Sequence, residues 1–307
     1  MKEKTVKIKK FLVVLFLLML LMAIYFFENG MNEQNTTALA LSYQYGFIPR
    51  GLIGTIVALL EKVGLFHYTY HSAMLLSAAA TILCYGVLFI VYYFSLKRCD
   101  EKYLSIMQCG IIFISLFLFS EYMTVNNFGR LDEYLMITTL ICFFLLVTEK
   151  AEYLIIPLCM LGTMIHAGFV FTNIAVILVL LLWKIFTYQG KKQKKYICIF
   201  TLTFLAVSVL FLYFELLRQP VSTLDYQQVI DKANALAQNG AIQKDAYSLL
   251  KSELLKEDVF NDEWIWHTKN YAETPIFLLL FLPYILIGIS FFRNLIRDAE
   301  GKIMKMK

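Results

Sequence analysis

Residues 153–186 read YLIIPLCMLGTMIHAGFVFTNIAVILVLLLWKIF, with no Asp, Glu, Lys or Arg before Lys184. At 1.5 Å per residue an unbroken helix of this length extends about 51 Å, far beyond the roughly 30 Å hydrocarbon layer of a bilayer. His166, Ala167 and Gly168 interrupt the run near its middle. The stretch therefore predicts two short helices meeting at a turn, either as a full hairpin or as a re-entrant pair buried among other helices.

The rest of the chain has the same character. Hydrophobic residues make up 59%, aromatic residues 16% and charged residues only 17% of 307 positions, more apolar surface than a soluble domain of this size can bury. The expected fold is an all-α polytopic membrane protein with one integral membrane domain over residues 1–307. The six cysteines lie in apolar runs or, for Cys99, in a loop placed in the cytosol, without zinc or CxxC spacing. Neither a disulfide framework nor a metal site is expected, and no cofactor is called for. The net charge of +5 comes from basic residues clustered at helix ends, where they act as orientation signals, so no nucleic-acid partner is implied.

Lys2, Lys4, Lys7, Lys9 and Lys10 precede the apolar run from Phe11 to Phe27, which reads as an uncleaved signal anchor starting in the cytosol. Further runs at Ala73 to Phe94, Tyr103 to Phe119, Tyr134 to Val147, Tyr196 to Leu216 and Pro275 to Phe292 are each near spanning length. With the hairpin near His166 they make about eight transmembrane helices, a multi-pass cell-membrane protein with both termini cytoplasmic. That count keeps Lys191, Lys192, Lys194 and Lys195 inside, as the positive-inside bias requires. Residues 52–66 have helical apolar spacing beside Glu61 and Lys62, the pattern of a helix lying flat at the interface. Residues 217–273 alone have soluble-protein composition. Asp225 to Ala237 and Lys244 to Leu255 predict two amphipathic helices broken at Asn239-Gly240, a helical extracytoplasmic cap.

The notable polar groups fall on the outer face. In Tyr45-Gly46-Phe47-Ile48-Pro49-Arg50-Gly51, a proline and two glycines shape a tight path that presents Arg50 at the membrane surface. A guanidinium there meets a lipid phosphate or diphosphate, snorkels to headgroups, or pairs with Glu61. In Asn126-Asn127-Phe128-Gly129-Arg130-Leu131-Asp132-Glu133, Asp132 and Glu133 open a helix beside Arg130 and two amides including Asn127. They provide a general base with a phosphate clamp, or they cap the helix. His166 faces a cavity or is a neutral imidazole hydrogen-bonded between helices, to Thr163 or a tyrosine. Trp264 and Trp266 stack on a sugar or anchor the chain at the interface, and Glu28 and Glu33 make the first outer loop acidic.

With Gly129-Arg130-Leu131-Asp132 opening a helix and Ile165-His166 between helices, the chain resembles the Wzy-type or EpsG-like polysaccharide polymerases. Its acidic first outer loop, following interfacial helix and late extracytoplasmic helical segment are similar to the GT-C glycosyltransferases, with Glu28 and Glu33 where those enzymes carry an aspartate. The resemblance covers residues 1 to about 190 and implies outer-face glycosyl transfer or polymerisation from a polyprenyl-(di)phosphate-linked sugar, in bacterial surface polysaccharide assembly. It implies phosphate neutralisation by Arg50 and Arg130, proton abstraction by Asp132 or Glu133, and orientation or protonation of the leaving group by His166. The competing classes are a flippase or solute transporter, and a non-catalytic membrane component of an envelope glycan assembly complex.

Overall fold

The computed structural model describes residues 2–27, 31, 33–98, 101, 104–105, 108–109, 111–112 and 129–256. Glu28, Asn127, Trp264 and Trp266 lie outside them, as does most or all of the spans expected at 103–119 and 275–292.

The described residues are helical and contain no strand. In chain order the helices are α1 (Lys2–Phe27), α2 (Glu33–Thr37), α3 (Gly51–Lys62), α4 (Tyr70–Arg98), α5 (Asp132–Thr148), α6 (Ile155–Ile165), α7 (Phe169–Thr187), α8 (Lys191–Leu212), α9 (Thr223–Leu236) and α10 (Lys244–Leu255). Short 3-10 turns lie at Ala38–Ala40, Tyr43–Tyr45 and Glu152–Leu154, and α8 runs into a π-helical turn at Tyr213–Leu217. Three helical stretches among the described residues are long and apolar enough to cross a membrane: Tyr70–Lys97, Phe169–Thr187 and Lys191–Leu217. α4 shows why such a helix suits lipid. Ala73, Ser77, Ala80, Cys84, Leu88 and Val91 form a buried stripe at helical spacing, while Leu75, Ile82, Leu83 and Ile90 on its other sides are apolar and uncovered by protein.

α1 packs on α4, α4 on α5, α5 on α6 and α7, and both arms of that hairpin on α8. The hairpin turns at His166 to Gly168 as the interruption predicted. α6, at 11 residues, extends only about 16 Å, about half the hydrocarbon thickness. α9 packs on α2 and on the Ala38–Ala40 turn, and α10 on α2, so the cap covers the first interhelical loop. Tyr226, Val229, Ile230, Ala233 and Leu236 form the buried face of α9, and Ala246, Leu250 and Leu254 that of α10. α9 starts two residues earlier than the apolar pattern indicated, because Ser222 caps it by accepting the Asp225 amide at 3.1 Å.

The helix read at 52–66 is shorter than expected. α3 stops at Lys62, where Gly64 adopts φ +74°, its amide bonds the Glu61 carbonyl and the Leu65 amide bonds the Leu60 carbonyl. This Schellman arrangement satisfies the terminal carbonyls and leaves 63–66 outside the helix. α3 lies against α6 and against the Ala38–Ala40 turn.

Charge is sorted to the two ends of the bundle. At one end Glu149 accepts from Lys184 at 2.8 Å, from Lys192 at 3.3 Å and from the Tyr188 hydroxyl, and Glu152 accepts from Lys195 at 2.7 Å and Tyr196 at 2.9 Å. Hydrogen bonds from Lys184 and then Tyr188 hold the Glu149 carboxyl down to about 2. Lys4 donates to the Lys97 carbonyl at 3.1 Å, bringing the start of α1 to this end. The opposite end gathers the starts of α4 and α5, the α6–α7 turn, the α2–α3 loop and the cap.

α3 crosses residues 39–41 so closely that a Cβ on Gly54 falls 1.7 Å from the Leu41 carbonyl oxygen. Gly54→Ala has to separate two backbones, and it is expected to lower stability by about 1–3 kcal/mol. Gly86→Ala, where a Cβ meets nothing within 4 Å, should be neutral. Thermal unfolding of the detergent-solubilised variants checks this, and equal midpoints for the two would refute the close crossing.

Candidate functional site

Arg50 is placed by its loop. Thr55 in the first turns of α3 accepts the Tyr43 amide at 2.7 Å and donates to the Gly51 carbonyl at 2.6 Å, fastening the loop to the helix it precedes. Phe47 packs on Tyr43 and Phe214 with ring centroids 5.0 Å away and on Tyr213 at 5.4 Å, tying the loop to the end of α8. Arg50 itself sits in the left-handed region, φ 61° and ψ 4°, a conformation costing a non-glycine residue about 1–2 kcal/mol. Its Nε lies 3.3 Å from Oε1 of Glu253 on α10, with side-chain exposures of 20% and 18%. The expected alternative partner, Glu61, is not the one it takes. Glu253 is held from behind: buried Arg218 donates through Nη1 to the Glu253 main-chain carbonyl and through Nε to the Phe214 carbonyl at 3.3 Å.

Arg130 and Asp132 meet at the start of α5, Nε to Oδ2 at 2.6 Å, and both stay substantially exposed, 45% and 31%. Leu131 is the N-cap residue and its side chain makes no cap hydrogen bond, so Asp132 acts on the helix through its charge and on Arg130 through contact. Glu133 is one residue on, about 100° around the helix, and faces elsewhere. It is 2% exposed, with Oε1 accepting from Thr81 of α4 at 2.6 Å and Oε2 without a partner among the described residues. The two carboxylates that look equivalent in sequence therefore take different partners.

His166 is extended, φ −158°, and its Nδ1 accepts the Gly168 amide at 2.8 Å, which fixes the turn into α7. In the neutral ring this leaves the proton on Nε2. Thr163, an expected partner, donates instead to the Cys159 carbonyl. Lying in the turn between α6 and α7, the imidazole is held down to about 3, by burial first, then by the Arg50 guanidinium and then by that of Arg130. Tyr43 donates to the Met164 carbonyl at 3.3 Å, so the loop carrying Arg50 is bonded to the hairpin beside His166.

The structure thus brings Arg50, Arg130, Asp132 and His166 to one end of the bundle and adds Glu253 and Tyr43, which the sequence reading did not single out. Glu253 borders the Ala246, Leu250, Leu254 apolar stripe of α10, the position of a charge at the rim of a docked helix. Two guanidinium groups acting on one neutral N–H donor is an arrangement for binding an anion. No family model, curated protein or solved structure matches the chain.

The depressed imidazole has a testable consequence. Between about 3 in the folded state and about 6.5 unfolded, the unfolded chain binds the extra proton, so stability is present above 6.5 and declines as pH falls through that window. The contribution of Glu149, held down to about 2, is lost only below its unfolded value of about 4.5. Between about pH 7 and 5 the thermal midpoint of the wild type is therefore expected to fall relative to that of His166→Asn, whose amide oxygen replaces the Nδ1 acceptor. Parallel curves would show that His166 is not held neutral in the folded state.

Proposed function

We propose that the protein is an outer-face membrane glycosyltransferase or polysaccharide polymerase acting on polyprenyl-(di)phosphate-linked sugars, of the kind that Wzy-type and GT-C-like enzymes represent, in bacterial surface polysaccharide assembly. The proposal includes the finer topology: about eight spans, cytoplasmic termini, and a site at the end of the bundle opposite the lysine-rich one. The observation that carries it is the gathering of Arg50, Arg130 and half-buried His166 at one end of the bundle, with Tyr43 of the Arg50 loop bonded to the Met164 carbonyl beside the histidine.

In this reading an acceptor hydroxyl attacks the anomeric carbon of the donor sugar while the bond from that carbon to the phosphate oxygen breaks. The electron pair leaves with the phosphate, whose charge Arg50 and Arg130 neutralise. His166 donates a hydrogen bond from Nε2 to the departing oxygen. Asp132, accessible and adjacent to Arg130, takes the proton of the acceptor. Glu133, buried against Thr81, holds α5 to α4 and takes no part in the transfer. Membrane lipid forms the surroundings of both donor and enzyme.

Cells expressing Arg50→Ala, Arg130→Ala, Asp132→Asn or His166→Ala at matched protein levels should accumulate lipid-linked precursor and lose or shorten surface glycan. For the arginine variants the loss of turnover should be on the order of 10²-fold. A normal glycan and intermediate profile in all four would overturn the enzymatic reading in favour of transport or scaffolding.

A further inference from the structure

Arg50 is under-used. Of its five N–H donors, only Nε has an ion-pair partner, at 3.3 Å from a single carboxylate oxygen, and its two terminal nitrogens make no hydrogen bond among the described residues. A guanidinium left largely in water needs no more than this. Arg50 is four-fifths covered, sits in strained backbone and belongs to a loop tied down by Thr55, Phe47 and Tyr43. Its position is imposed by the loop, and Glu253 is a poor match for the two-pronged fork that it presents.

Glu253 is equally imposed. The main chain at Glu253 is gripped by Arg218, and the Leu254 carbonyl accepts the Val221 amide at 3.0 Å, so the end of α10 is held by contacts that do not involve the Glu253 carboxylate. The carboxylate can leave Arg50 without unseating the helix.

We infer that Glu253 is an internal surrogate for the anionic ligand: its carboxylate stands where a phosphate oxygen of the ligand binds Arg50, and the ligand displaces it. This rests on the reading of Arg50 and Arg130 as phosphate ligands. Displacement has two consequences. Affinity is set by competition between the ligand and a tethered carboxylate, so removing that charge strengthens binding. The cap senses occupancy as well, because each bound phosphate releases one of the contacts that join α10 to the Arg50 loop.

The test uses the full chain in nanodiscs of phosphatidylcholine, with dimethyl diphosphate as the probe. Glu253→Gln, which preserves shape and leaves the Arg218 and Val221 contacts in place, should bind the probe about tenfold more tightly than wild type, ~1.4 kcal/mol. Arg50→Gln should weaken binding in both backgrounds. In wild type the probe should also speed amide hydrogen exchange in α10, an effect absent from Glu253→Gln. Unchanged or weaker binding by Glu253→Gln, with Arg50→Gln still weakened, would overturn the surrogate role while leaving the anion site standing. Wild-type binding by Arg50→Gln would overturn both. Matching thermal midpoints for the variants keep these outcomes separate from misfolding.

Discussion

A charge in hydrocarbon is costly unless it is paired or reaches water, and this drives the charged groups of the bundle to its two ends. The ends handle their charges differently. At the lysine-rich end each carboxylate is surrounded: Glu149 by Lys184, Lys192 and Tyr188, Glu152 by Lys195 and Tyr196. Every bond there joins α5 or the turn after it to the α7–α8 connection, so the network closes on itself and joins helices. At the other end Arg50 meets one carboxylate through one nitrogen. Closed networks suit a structural joint, whereas spare donors suit a site that must accept something from outside.

Backbone strain supports the same distinction. Glu149 and Ala151 adopt left-handed conformations at the close of α5, and the three donors that converge on Glu149 offset the cost where it arises. Arg50 bears a similar cost with only a long contact to Glu253. Its conformation is maintained from the side, by Phe47 among Tyr43, Tyr213 and Phe214 and by Thr55 bridging the loop to α3. Strain kept by neighbours and not relieved by the strained residue's own partner is characteristic of functional positions.

The parts of the fold governed by local periodicity were legible in the sequence. The break at His166 placed the hairpin turn, and the apolar stripes of α9 and α10 placed the cap, because both follow from residues within a few turns of one another. The end of α3 was missed because Val63 and Leu65 continue the apolar pattern, while the conformation of Gly64 decides where the helix stops. The site was legible only as a set of residue types. Nothing local says that Glu253 will meet Arg50, since that pairing needs the cap to fold back over the first interhelical loop. The divergence of Asp132 from Glu133 follows from helical geometry, but which of the two is buried depends on α4 supplying Thr81.

The neutrality of His166 follows from the same arrangement that makes the site attractive to an anion. Burial disfavours a third positive charge beside two guanidinium groups, so the free site holds an uncharged donor. On the proposed reading, an arriving phosphate reverses part of that balance. It neutralises the two arginines whose fields oppose protonation and adds a negative charge that favours it, so the proton affinity of the imidazole rises only when the ligand is present. The histidine then becomes a stronger acid–base partner at the moment negative charge builds on the leaving oxygen, and remains a weak one in the empty site. Coupling between occupancy and protonation thus arises from two arginines and a histidine turn, without any additional moving part.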